Sequence, residues 1–213
     1  MIIKMKMYSL FIFLFGFLSA CGQQNGNNSE MTEMQKEYDR HKQYFEESEI
    51  AHFPKFLHSE VNSIESNLIF ENNNVGFLLF EFEINESLLD SIITSTEKMN
   101  VIRKYHSNDS GLLYIIPRSD DFTNPRHLSS NVDYSNQLPV ADLNFYLRES
   151  EYFSNYINND FDIYVLEAKA EKLSKYAELP PNMNMSEKWR NGFSKGISIS
   201  KKGKIVVYWT IIW

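Results

Sequence analysis

Cysteine is nearly absent from this 213-residue chain: Cys21 is its only copy, so no disulfide can form within it and no cysteine cluster can bind metal. Glycine is scarce at eight residues, which argues against loops that cradle phosphate with backbone N–H groups. The sequence contains no H-E-x-x-H, P-loop, G-x-G-x-x-G or EF-hand pattern, and no nucleophile elbow is expected. Basic charge is also short, with 21 Lys and Arg against 28 Asp and Glu and a net charge of −7, and the basic residues are dispersed among acids. That excludes the clustered cationic surface through which nucleic acid is held. The N-terminal apolar run, residues 7–18, is well short of the roughly 20 residues that a transmembrane helix needs. What remains, 43% hydrophobic and 15% aromatic residues, is the composition of a folded chain and not of a disordered one.

The apolar run has a specific setting. Lys4 and Lys6 precede it, Met7 to Leu18 (MYSLFIFLFGFL) fill it, and Ser19, Ala20 and Cys21 follow. A basic start, an apolar run within the usual ~7 to 15 residues and small residues before a cleavage point together make a secretory signal. With the cysteine directly after the small pair, Leu18-Ser19-Ala20-Cys21 resembles the lipobox of bacterial lipoproteins. The resemblance covers residues 1–21. It implies that Cys21 receives a diacylglyceryl thioether, becomes the new N-terminus and is acylated further with palmitate-type chains. It also implies a place in the cell envelope, in the outer membrane of a Gram-negative cell, with the membrane reached through lipid. Two or more acyl chains hold stably, whereas one gives only about 10⁴ M⁻¹. Removing Lys4 and Lys6 leaves 19 basic residues against 28 acidic ones, so the net charge moves from −7 to −9 and the lipid must do the holding.

Gly22 to Ser29 (GQQNGNNS) has no apolar residue and is expected to be a flexible tether reaching about 26 Å at ~3.3 Å per residue. Residues 1–20 are thus expected to be the signal peptide, 21–29 the lipidated tether and 30–213 a single α+β domain. Met31, Met34, Tyr38, His41 and Phe45 recur at helical spacing and predict an amphipathic helix over 30–50, closed by Pro54 and packed on its own domain. Leu68 to Glu71, an Asn72-Asn73-Asn74 turn and Val75 to Glu83 predict a hairpin. Asn85 can cap a helix running to about Met99, and Asp142 one carrying Leu143, Tyr146, Phe153 and Ile157 on one side. Strands are expected at Leu112 to Ile116 and Phe161 to Ala168, and a brief helix at Lys169 to Tyr176. A second hairpin joins Gly196 to Ser200 with Ile205 to Trp213 through Lys201-Lys202-Gly203-Lys204. Ile205 to Trp213 (IVVYWTIIW) is apolar at nearly every position, as a central strand covered on both faces must be. The expected fold class is α+β (mixed α/β), a sheet of about five or six strands with packed helices.

Candidate functional residues are few. Besides Cys21 as the lipid attachment point, two regions gather cations: Pro117 to Leu138, with Arg118, Arg126 and His127 beside Asp120 and Asp121, and Pro180 to Gly196, with Lys188, Trp189 and Arg190. The first is longer than structureless loops usually are, about 12 to 15 residues. Trp189 either anchors a binding surface or plugs the end of the core. Asp160 and Asp162 could form a carboxylate pair, and Asn158, Asn159 and Asp160 could offer oxygens to calcium, although an ordinary turn explains them too. His41, His52, His58, His106 and His127 are scattered, with no two at i, i+4. No catalytic set, metal site or cofactor is expected. The expected function is a non-enzymatic envelope binding module for a protein or polysaccharide. An envelope-polymer hydrolase and an immunity-type inhibitor of a toxin or enzyme, suited by the acidic charge, are the alternatives.

Overall fold

A computed structural model of the chain describes residues 27–67, 74–115, 134, 136–149, 156, 160–183 and 185–213. The helices are α1 (Asn27–Lys42), α2 (Glu47–Ile50), α3 (Glu86–Glu97) and α4 (Leu143–Glu149). The strands are β1 (Asn62–Asn67), β2 (Val75–Glu81), β3 (Arg103–His106), β4 (Leu113–Ile115), β5 (Pro139–Ala141), β6 (Asp162–Lys169), β7 (Phe193–Ser200) and β8 (Ile205–Ile212). Six of them form one antiparallel sheet in the order β1-β2-β8-β7-β6-β3, and β4 and β5 pair in parallel beside it. The fold is therefore α+β with a mostly antiparallel sheet.

β8 lies between β2 and β7, and every residue from Ile205 to Ile212 is buried. Alternation along it feeds two cores. Val207, Trp209 and Ile211 join Leu78, Phe80, Ile163 and Val165 beneath β4, β5 and α4. Val206, Tyr208 and Ile212 join Phe77, Leu79, Ile197 and Ile199 beneath α1, α2 and α3. Burying each such side chain is worth ~1.5–3 kcal/mol relative to leaving it in water, so an apolar run with no polar face is what this position demands. This packing requires glycine at position 196. Gly196 faces Trp209, and a Cβ there would lie 2.3 Å from the Tyr164 carbonyl oxygen and 2.5 Å from the Trp209 ring. The turn from β7 to β8 falls at Lys201 to Lys204, and the left-handed residue in it is Lys204 (φ 54°).

Several boundaries differ from the sequence expectation. The predicted helix over 30–50 is two pieces, because Glu46 caps α2 in a capping box with Glu49, whose carboxylate takes the Glu46 N–H at 2.8 Å. The break lets Phe45, Ile50 and Phe53 enter one core. The arm paired with β2 is the polar Asn62–Asn67, upstream of Leu68 to Glu71, which lies outside the described residues along with Asn72 and Asn73. Between Lys169 and Tyr176 there is only a 3₁₀ turn, Ser174–Tyr176. The caps fall where chemistry places them: Asn85 accepts the Leu88 N–H at 3.0 Å, and Asp142 accepts that of Phe145 at 3.1 Å. Phe153 and Ile157, expected on α4, lie outside the described residues.

Candidate functional site: two histidine–carboxylate pairs on the α1 face

α1 lies over the β1–β2 end of the sheet, and its inward stripe contains both apolar and ionisable residues. Tyr38 on that stripe and Phe45, three residues past the end of α1, are buried against Phe77, with ring centroids 6.0 and 5.4 Å away. His41, between them on the same stripe, stacks over Phe77 at 6.2 Å and 16°. That packing leaves the imidazole edges for polar partners. Nε2 lies 2.8 Å from Glu37 Oε1, one helical turn back, and Nδ1 lies 2.8 Å from the Ser66 hydroxyl on β1. In the neutral ring that satisfies both contacts, Ser66 donates to Nδ1 and Nε2–H donates to Glu37. The His41 hydrogen bond is also the largest cause holding the Glu37 carboxyl below the ordinary carboxylate range, with Arg40, bonded to the same oxygen, assisting.

Ser66 is well placed on its strand. The Phe82 N–H donates to the Val61 carbonyl at 2.8 Å, and the β1–β2 register runs unbroken from Asn62 opposite Glu81 to Asn67 opposite Gly76. Peptide groups alternate in direction along a strand. Those of Asn62, Ile64 and Ser66 therefore point away from β2, toward the edge where no described strand pairs with β1.

The second pair sits at the other end of β2. Glu81 is wholly buried and accepts the backbone N–H groups of His58 and Ser59, the latter at 3.3 Å, and His58 Nδ1 at 3.0 Å. These donors stand in for water around the carboxylate and tie the 51–61 segment to the sheet. The hydrogen bond to Glu81 raises the pKa of the partly exposed His58. Burial first, and then the Glu81 charge, keep the Tyr38 and Tyr208 hydroxyls protonated far above their usual range. His52 behaves oppositely. Its Nε2–H donates to the Trp209 carbonyl at 3.0 Å, Nδ1 is enclosed without a partner among the described residues, and burial pushes the pKa down to about 3.

Neither pair was foreseen from the sequence, although the Glu37–His41 spacing was visible in it. Of the cationic and aromatic residues singled out there, the described ones are Lys188, Trp189 and Arg190. Trp189 is not a surface anchor: it is 1% exposed, lies 6.2 Å from Trp213, and its carbonyl accepts Trp213 Nε1–H at 2.6 Å. The 3₁₀ turn Glu187–Trp189 folds the indole inward to close one core, leaving Lys188 and Arg190 exposed. Cys21, Arg118, Arg126 and His127 lie outside the described residues, as do Asp120, Asp121, Asn158 and Asn159. Asp162 pairs with Lys104 at 2.9 Å and Asp160 accepts from Asn108 at 2.8 Å, so each carboxylate has its own partner. Among the described residues no group of three His, Cys, Asp or Glu side chains is placed to hold a metal, and no helix is long and apolar enough to cross a membrane.

One pattern escaped the sequence reading. Gly192 to Gly196 (GFSKG) spells G-x-S-x-G, the signature of a nucleophile elbow. Here it lies along β7 and at its entry, with Ser194 wholly buried and donating to the Pro139 carbonyl at 2.6 Å. An elbow requires a strand-to-helix turn that exposes the hydroxyl. The two glycines instead make room for indoles, Gly192 for Trp213 and Gly196 for Trp209.

No protein-family model, no curated protein and no solved structure matches this chain.

Proposed function

We propose that the chain is a lipid-anchored protein of the bacterial cell envelope, and that its folded part is a binding or interaction module held at the membrane surface. The observation that carries this is Leu18-Ser19-Ala20-Cys21, behind an apolar run and a basic start. In this reading residues 1–20 are removed, 21–29 tether, with Asn27 to Ser29 already in the first turn of α1, and 30–213 form a single domain. The acidic balance supports lipid as the anchor, because a domain with more Asp and Glu than Lys and Arg gains nothing from an anionic surface. Lys188 and Arg190 form the exposed cationic site offered to an acidic protein face or an anionic polysaccharide.

The test is metabolic labelling with a palmitate analogue. The wild-type protein should incorporate label and sediment with membranes, and Cys21→Ser should lose the label. A wild-type protein that takes up no fatty acid would refute the anchor. A second reading, hydrolysis of an envelope ester, is favoured by one observation, the Ser66–His41–Glu37 chain of hydrogen bonds.

A further inference from the structure

We propose that Ser66 is a nucleophile for carboxylic esters, with His41 as its general base and Glu37 as the residue that positions the base. The argument starts from geometry and is independent of where the protein is anchored. Three requirements define an activated serine: a hydroxyl within hydrogen-bond reach of a base, a base oriented by a third group, and a donor for the oxyanion. Ser66 Oγ lies 2.8 Å from His41 Nδ1, inside the ~2.6–3.2 Å range required of such a pair. The second ring nitrogen is 2.8 Å from the Glu37 carboxylate, which fixes the tautomer that leaves Nδ1 with its lone pair toward the hydroxyl. Stacking on Phe77 holds the plane of the ring, and Ser66 is fixed by its register opposite Phe77.

The third requirement is met by the strand edge. Because the peptide groups of Ser66 face away from β2, its own N–H is directed to the side where no described strand pairs with β1. A carbonyl approaching Oγ from that edge meets the backbone donor of the same residue, the geometry that stabilises a developing oxyanion. An ester is the fitting substrate class, since an alkoxide leaves far more readily than an amide anion and departs with the one proton that His41 will carry.

The step balances without any other reactant. Oγ bonds to the ester carbon, its proton passes to Nδ1, and the carbonyl electron pair moves onto oxygen. Collapse re-forms the carbonyl, breaks the bond to the alkoxy oxygen and returns the proton from Nδ1 to the departing alcohol. Water then repeats the sequence on the acyl-serine and releases the acid. Charge on the ring during each step is balanced by Glu37, with Arg40 on the same carboxylate.

The experiment uses the full chain in detergent, an alkyl fluorophosphonate as covalent probe and p-nitrophenyl acetate as ester. The wild-type protein should take one phosphonyl group, mapped by peptide mass spectrometry to Ser66, and should release p-nitrophenolate. Ser66→Ala should abolish both, and His41→Asn should slow both by on the order of 10²–10⁴-fold. Ser63→Ala, on the same strand and facing the other side, should leave both unchanged. Glu37→Gln should lower the rate and move the pH midpoint of labelling downward, because the imidazolium loses its anionic partner. A merely structural role for Glu37 would change the melting temperature and leave that midpoint in place. Failure of wild-type protein to label, or labelling mapped to another residue, would overturn the proposal whether or not any variant folds.

Discussion

Replacing His52 with Gln should flatten the acid dependence of stability, and the size of the effect follows from how the ring is enclosed. His52 Nε2–H donates to the Trp209 carbonyl, and the ring sits edge-on to Phe53 with centroids 4.7 Å apart. A proton added at Nδ1 would enter an enclosed site, where burial, with repulsion from Lys195, outweighs what the Trp209 and Gly196 carbonyls offer the charged ring. Burial thus pushes the folded pKa from the ordinary 6.5 to about 3. The unfolded chain binds a proton below 6.5 that the folded chain refuses until about 3. Between those limits stability rises with pH and falls as pH drops, by ~1.36 kcal/mol per pH unit for one proton. From pH 7 to pH 4.5 the linkage amounts to about 2.5 kcal/mol. Urea unfolding at the two pH values should show wild-type protein losing about that much more stability than His52→Gln. Carboxylates that titrate in the same window are common to both proteins and cancel in the difference. His58 cannot imitate the effect. Its folded pKa is raised by Glu81, so its contribution is present below the unfolded value and is lost as pH rises through the folded one. Equal acid losses in the two proteins, or a His52 resonance that titrates near 6.5 while the chain is folded, would refute the reasoning.

Two further substitutions test the packing. Gly196→Ala places a methyl group against the Tyr164 carbonyl and the Trp209 ring in the sheet interior, where backbone cannot yield cheaply; a loss of about 1–3 kcal/mol or more is expected in urea unfolding, and an unchanged midpoint would contradict the close approach. Trp189→Ala should cost about 3–5 kcal/mol because the indole is enclosed against Trp213, and a melting temperature near wild type would mean the ring is exposed.

How much of this was legible in the sequence depends on the strength of the local signal. β8 could be read without ambiguity, because nine consecutive residues, IVVYWTIIW, have no polar face to offer solvent. The helix caps were equally legible, since Asn85 and Asp142 each precede an apolar period. β1 and β3 were not. Asn62–Asn67 and Arg103–His106 are edge strands paired on one side only among the described residues, so water can satisfy their outer groups and selection for apolar alternation is weak. The same reason hid the candidate site. Ser66 lies 25 positions from His41 in the chain, and only the pairing of β1 with β2 beneath α1 brings them together. Trp189 was ambiguous because cations beside an indole suit a surface anchor and a core plug alike. Lys188 reaches back over the buried ring, its Nζ 5.1 Å from the centroid, so the charge is outside and the aromatic inside.

The proposed anchor and the proposed nucleophile constrain one another through chain length. Cys21 is six residues from the start of α1, and an extended chain covers at most ~3.6 Å per residue, so that link reaches about 22 Å. From Asn27 to His41 the helix rises ~1.5 Å per residue, which adds about 21 Å. His41 and Ser66 therefore stay within about 45 Å of a membrane that holds Cys21. Esters reached from there are those of the lipid surface itself or of polymers attached close to it. A tether lengthened by a Gly/Ser insert before Asn27 would relax that limit without touching the relay. If the substrate is membrane-bound, turnover in intact envelopes should change with insert length while p-nitrophenyl acetate hydrolysis by the detergent-solubilised protein does not. If both stay constant, the anchor and the relay are independent features of the chain and the substrate is soluble.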